Sequence, residues 1–168
     1  MRALETVNLK GSTVSVSIGV ITPATDIAIF GAWAYFLTAW SWGRGYPVGS
    51  FEEIVRMQFA ITAMIEDEPI GFGGINLTAN NDNSNEFVQW FSAWVVAPQF
   101  QRRGIGRIIH RHCIDRAVDQ PGPIRATSES FHMHPFFIKE GWAIIQDKET
   151  ARNEAGKPMY VYGFSRGE

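Results

Sequence analysis

Cysteine is almost missing from this chain: Cys113 is the only one in 168 residues. A lone thiol excludes an internal disulfide and suits a reducing compartment. An excess of either charge is missing too. Lys and Arg number 15 against 17 Asp and Glu, a formal net charge of −2, which leaves no electrostatic footprint for general nucleic-acid binding. No apolar run is long enough to span a bilayer. The uncharged stretch Ile27–Trp42 falls short of the roughly 20 residues that a span needs. Its large residues Ile27, Phe30, Trp33, Leu37 and Trp40 recur at helical spacing, and Thr22–Asp26 ahead of it supplies a cap and an acidic first turn, so it reads as a buried amphipathic helix. Met1–Thr6 holds no apolar signal core, and the expected location is cytoplasmic, off the membrane. Repeats, low-complexity runs and interdomain linkers are also lacking. The length then predicts one domain, residues 1–168, with a proper core and no metal.

What stands out instead is the passage from Val95 to Gly106. An apolar strand, Phe87 to Val96, runs into Pro98 and then into Gln101, Arg102, Arg103, Gly104, Ile105 and Gly106. A helical period follows at Ile105, Ile108, Ile109 and Cys113, which places Cys113 on an apolar face as core filler. A strand that ends in a basic glycine turn and opens a helix offers free backbone N–H groups at the positive end of a helix dipole. That arrangement is an anion site, most simply for phosphate. Glycines there let a phosphate approach the backbone closely. The dinucleotide fingerprint would need a third glycine where Ile109 stands, and the acidic ribose-binding residue is missing as well, which disfavours a flavin or NAD oxidoreductase; the P-loop would need Gly-Lys-Ser/Thr, which is absent.

The remaining chain supplies an order of elements. Thr13 to Val20 reads as a strand, followed by the helix over Ile27–Trp42, a glycine-rich loop Gly43 to Gly49 and a second helix from Ser50. Gln58 to Glu66 and Ile70 to Leu77 form a hairpin through Asp67, Glu68 and Pro69, and Ala79 to Asn85 reads as loop. The strand from Glu86, the helix Ile105 to Val118 and the strand Ile124 to Ser128 make a βαβ unit. Helix His134 to Glu140 precedes two strands, near Trp142 to Asp147 and Met159 to Phe164.

The turn Gln101-Arg102-Arg103-Gly104-Ile105-Gly106 resembles the coenzyme A pyrophosphate loop of the GNAT superfamily of N-acetyltransferases, written Gln/Arg-x-x-Gly-x-Gly/Ala. Downstream, Ser130 to Trp142 resembles that superfamily's second helix signature, and its Pro-Phe-Phe-x-x-x-Gly wording is similar to a bacterial subgroup. The motif-level resemblance covers Glu86 to Trp142, and the order β-α-α-β-β-β-α-β-α-β-β matches it. It implies a mixed α/β fold, a central twisted mixed sheet flanked by helices. It also implies transfer of an acetyl group from acetyl-CoA to a primary amine by direct attack.

The resemblance assigns roles as well. The backbone N–H groups of Arg103, Gly104, Ile105 and Gly106 would cradle the pyrophosphate, with Gln101 and Arg102 shaping the turn. The pantetheine arm would lie along Trp94, Val95 and Val96 like an added strand. A backbone N–H near Val95 or Val96 would polarise the thioester carbonyl. Phe137 occupies the position where many members carry a tyrosine that protonates the leaving thiolate. The loss is small in energy, about 2 kcal/mol near pH 7 for a thiol of pKa about 8.5. Water, Ser130 or a nearby His such as His132 or His134 would supply the proton. Ser130 matches the Asn/Ser of the motif, which implies that it contacts the coenzyme, as does Phe137, although helix capping alone would explain Ser130. Some members carry a Glu base where Trp90 stands; Glu86 shares that strand face and would act through water, or be a solvated strand-start carboxylate.

Fold does not select the acceptor. Trp40, Trp42, Tyr46, Asp82 and Glu86 offer aromatic surface with carboxylates, which suits a cation carrying apolar bulk, either a small amine or a peptide amine. A monomer or homodimer is expected. The alternative is a coenzyme-A-binding sensor or interaction module without turnover, marked by Phe137 and Trp90. An enzyme that acetylates aminoacyl-tRNA is disfavoured by the neutral charge and by Phe137.

Overall fold

The computed structural model describes residues 3–9, 11–22, 57–79, 87–152 and 156–165. Among them are eight strands: β1 Ala3–Leu9, β2 Ser12–Ile21, β3 Met57–Ile65, β4 Glu68–Ala79, β5 Phe87–Val96, β6 Ile124–Ser128, β7 Trp142–Gln146 and β8 Tyr160–Phe164. Two described helices, α1 Ile105–Ala117 and α2 His134–Lys139, follow β5 and β6 respectively. They form one sheet in the order β1-β2-β3-β4-β5-β6-β8-β7. Every neighbouring pair is antiparallel except β5–β6, whose parallel pairing requires the crossover through α1. The mixed sheet and flanking helices expected from the sequence are therefore present. No described helix is long and apolar enough to cross a membrane.

Two sequence expectations need adjustment. Residues Ala3–Leu9 form a strand that hydrophobic patterning does not reveal. As an edge strand β1 buries Val7 alone, so it carries no period-two signal. The β3–β4 turn is Glu66–Asp67 with Glu66 at φ 54°, so Glu68 and Pro69 belong to β4 rather than to the turn, and Ala79 ends that strand. The predicted helices over Ile27–Trp42 and from Ser50, the Gly43–Gly49 loop and most of the Ala79–Asn85 loop lie outside the described residues.

Helix α1 packs Ile105, Ile109, Cys113 and Ile114 onto the sheet. Close approach is possible because β4 presents glycines there. A Cβ at Gly71 would sit 2.6 Å from Ile109 Cδ1, and one at Gly73 2.9 Å from Ile109 Cγ2. Burial pushes the Cys113 thiol pKa up, as befits core filler. At the far end of α1, the buried Gln89 of β5 donates from Nε2 to the carbonyl oxygens of Ala117 at 3.0 Å and Gly122 at 3.2 Å. That side chain fastens the α1–β6 connection to β5 and sets β6 in place. A smaller cluster, Met57, Ala60, Phe72 and Val95, lies apart from this main core.

His110 sits inside an aromatic cage. Its ring centroid lies 5.3 Å from Phe91, 5.2 Å from Phe136 and 5.8 Å from Trp142. Trp142 Nε1 donates to His110 Nε2 at 2.9 Å, which requires a neutral imidazole with its proton on Nδ1. Burial holds its pKa down from 6.5 to about 4, against the opposing pull of Glu140 and Asp115.

Two outcomes are expected. The unfolded chain protonates His110 near pH 6.5 and the folded chain only near 4. Stability should therefore fall as pH drops through that window, by about 3 kcal/mol, and level off below it. Denaturant titrations at several pH values should show a shallower slope for His110→Gln; parallel slopes would refute the assignment. Gly122 stands at φ 97°, where a Cβ would lie 2.1 Å from the Phe87 carbonyl oxygen. Gly122→Ala should lower the unfolding free energy by about 2–3 kcal/mol in the same assay.

Candidate functional site

The site begins where β5 leaves its neighbours. The β5–β6 ladder contains only Gln89–Ile124, Trp90–Arg125 and Phe91–Ala126. Beyond Phe91 the strands part, and β5 bulges: Ala93 takes φ 53° where the β4 register shifts between Phe72 and Gly74. The backbone of the strand's last residues thus has no strand partner on its β6 side among the described residues, while it stays paired to β4 through Val95 and Val96.

A cavity of about 570 Å³ opens where β5 ends and α1 starts. Trp94, Val95, Val96, Gln101, Arg102, Gly104 and Gly106 line it, all anticipated from the sequence. Gln101 Nε2 donates to the Val96 carbonyl at 2.9 Å, tying the turn to the strand end. Arg102 and Gly104 take left-handed φ values of 58° and 85°. Alternation of this kind makes a concave array of N–H groups. Gly104 has no side chain to cap α1 and the first turn holds no acidic residue, so among the described residues no side-chain cap meets the leading N–H groups. Arg103 and Ile105 do not line the cavity with their side chains. Ile105 is core and can contribute only through the backbone.

The two glycines differ in their reasons. A Cβ at Gly104 would meet nothing within 4 Å, which leaves the approach to the turn open. A Cβ at Gly106 would touch Trp94 Cζ2 at 3.0 Å, and Trp94 Nε1 donates to the Gly106 carbonyl at 3.0 Å. Gly106 is therefore required by the Trp94 indole, a packing reason that differs from the close phosphate approach expected from the sequence.

A second cavity, about 600 Å³, occupies the cleft between the parted strands. Trp94 and Met133 line both cavities and form their common wall. Ser92 and Ala93 border the second on the β5 side; Ser128, Ser130 and Phe137 border it on the β6–α2 side. Ser130 Oγ accepts from the His132 N–H at 3.2 Å, capping the 3-10 turn Phe131–Met133, and its backbone N–H donates to Ser128 Oγ at 3.1 Å. His132 lines the cleft, whereas His134 does not: its ring stacks on Phe131 at 4.7 Å, with a buried, unpartnered Nδ1. Phe137 is buried, stacked on Tyr162 at 4.4 Å and edge-on to Trp142 at 5.3 Å. Glu86 lies outside the described residues.

Several lining residues escape sequence reasoning. Arg107 reaches the first cavity and is ion-paired with Glu140, joining the start of α1 to the end of α2. Its place directly after the glycine turn is the signal that could have found it. Met133 and Phe136 had no such signal, because apolar helix residues read as core. No group of three or more His, Cys, Asp or Glu capable of holding a metal occurs among the described residues.

Comparison with known proteins gives one family: the model described as the acetyltransferase (GNAT) family matches residues 32–141. Among solved structures, Escherichia coli ElaA superposes with a TM-score of 0.71 at 11% identity, covering 89% of this chain and 99% of that one. Arabidopsis thaliana Naa50 in complex with the bisubstrate analogue CoA-Ac-MVNAL gives 0.64 at 14% identity, covering 88% and 98%. Aminoglycoside 6'-acetyltransferase type Ii gives 0.64 at 18% identity, covering 88% and 96%. At these identities the likeness is one of fold. No curated protein matches the chain by sequence.

Proposed function

This chain belongs to the acetyltransferase (GNAT) family, and on that premise we propose that it is one cytoplasmic domain transferring an acetyl group from acetyl-CoA to a primary amine. One observation carries the reading: the uncapped start of α1, with Arg102 and Gly104 left-handed, opens into a cavity that shares the Trp94–Met133 wall with the β5–β6 cleft. The donor set fits a pyrophosphate. Backbone N–H groups converge on open space at Gly104, flanked by Arg102 and Arg107. Acetyl-CoA supplies the electrophile, a thioester carbonyl carbon.

The residues divide the work. Arg103 to Gly106 hold the diphosphate through their N–H groups, and Gln101 keeps the turn against the strand end. The open edge of β5 from Trp94 to Val96 accepts the amide-bearing arm as an added strand. A backbone N–H at Val95 or Val96 polarises the carbonyl oxygen. Ser130, at the cleft, and His134, stacked on Phe131 outside the cleft lining, are the proposed proton sources for the departing sulfur. Glu86 takes the amine proton through water. The acceptor is a small-molecule or peptide amine, in keeping with neighbours solved with a peptide bisubstrate analogue or with sisomicin, and not nucleic acid; the protein works as a monomer or homodimer.

A second reading, a coenzyme-A-binding sensor of the same fold, is favoured by the buried Phe137, which carries no proton. Calorimetric titration with acetyl-CoA, followed by thiol release against an amine panel, separates the two. Binding with thiol release supports the enzyme; binding without turnover across the panel supports the sensor; no binding refutes both.

The turn is tested separately. Gly104→Asp puts a carboxylate where the anion should sit, and should weaken acetyl-CoA binding at least 100-fold with little change in melting temperature. Gly104→Asn tolerates the same left-handed backbone without the charge and should lose much less. Equal losses in the two variants would refute the electrostatic part of the assignment.

A further inference from the structure

Next to the cleft, on strands β4 and β5, lies a short polar row that the roles above leave unused. Asn76 Nδ2 donates to Ser92 Oγ at 2.9 Å, and Ser92 Oγ donates to the Trp90 carbonyl at 3.3 Å. Trp90 itself is pinned by its indole N–H to Thr78 Oγ1 at 2.8 Å. Asn76 stands opposite Trp90 in the β4–β5 register, two residues before Thr78, so the four side chains form one line along two neighbouring strands.

The hydrogen-bond accounting is specific. A serine hydroxyl has one proton and two lone pairs. The Ser92 proton goes to the Trp90 carbonyl, so the Asn76 amide must turn its NH₂ towards Ser92 and its oxygen away. That oxygen, Asn76 Oδ1, is buried and has no partner. Ser92 keeps one unused lone pair, and Ser92 lines the cleft. Two acceptors therefore belong to one hydrogen-bonded pair, Ser92 Oγ at the cleft and Asn76 Oδ1 buried on the neighbouring strand. A buried acceptor left unpaired is costly, which makes the pair a receptor for N–H groups.

We propose that Asn76 and Ser92 hold the acceptor as a neutral primary amine, one N–H on Ser92 Oγ and one on Asn76 Oδ1, with the nitrogen lone pair left facing the cleft. This rests on the acetyl-transfer reading and adds the positioning groups for its acceptor. In the step that follows, the lone pair forms the N–C bond and the C–S bond breaks with its electron pair on sulfur. The nitrogen keeps one N–H in the amide product, and the other proton ends on sulfur as free thiol. A secondary amine or an alcohol has a single donor and leaves one acceptor unpaired. Discrimination follows from that count alone, about ten- to hundred-fold.

The test uses the purified full chain, a panel of primary amines with tyramine, spermidine and an alanyl peptide, and the N-methyl counterpart of whichever amine releases thiol fastest. Wild type should prefer the primary amine at least tenfold in kcat/KM. Ser92→Ala and Asn76→Ala should raise KM for that amine about tenfold or more and shrink the preference, while acetyl-CoA affinity by calorimetry and melting temperature stay unchanged. Asn76→Asp keeps an acceptor oxygen and should restore part of the loss, which separates positioning from folding. An unaltered amine KM in both alanine variants, an unchanged preference, or no turnover with any primary amine by a protein that binds acetyl-CoA would overturn the proposal. Failure to bind acetyl-CoA would overturn the function on which it rests.

Discussion

The β5–β6 ladder stops after Phe91–Ala126, and the accounting of backbone hydrogen bonds beyond that point governs the rest of the site. Buried N–H and C=O groups must find partners. Among the described residues, those of β5 past the bulge at Ala93 find β4 on one side and no strand on the other, where the Gln101 side chain alone reaches the Val96 carbonyl. Gln89 holds β6 to β5 below the parting, and two features keep the strands apart above it: the Ala93 bulge swings β5 away, and the Trp94 indole, seated on Gly106, wedges the upper part open. A flat, fully paired sheet here would satisfy the backbone better and leave no place for a substrate.

The same wedge links the cleft to the core. Trp94 touches Phe136 at 4.7 Å, and Phe136 touches His110, which accepts from Trp142. The aromatic layer beneath the site is thus built on a histidine that must stay uncharged, and the Arg107–Glu140 pair closes its rim from the solvent side. Residues that hold the cleft open and residues that hold the helices down belong to one packed group. Changes in either are felt in both.

Much of this was legible in the residues. Strong local signals marked the strand–turn–helix at Val96 to Ile109, and the structure has it at those residues, with the basic glycine turn facing a cavity. Ile124–Ser128 is legible to the residue because it is short, turns Ile124 and Ala126 inward in alternation and follows turn formers. Strand β1 was not, because an edge strand that buries only Val7 has no pattern to read. The reason for Gly106 was hidden as well: only the fold brings Trp94, twelve residues earlier in the chain, over it. Asn76 and Ser92 belong to different strands with no motif between them, and their partnership is a property of register alone. Local chemistry was visible in sequence; chemistry assembled across strands was not.

An open strand edge is normally a hazard, since a second copy of the chain can add to it and polymerise. The outer edges of this sheet, β1 and β7, are ordinary ones at the periphery. The open edge of β5 is different because it faces Ser128, Ser130 and Phe137 across a cleft, with Trp94 and Met133 as the wall towards the first cavity. A lone extended strand can enter such a slot, whereas a sheet cannot follow it in. The protein keeps a sticky edge ready for use and is protected from self-assembly there by geometry, without the charges or prolines that guard exposed edges elsewhere.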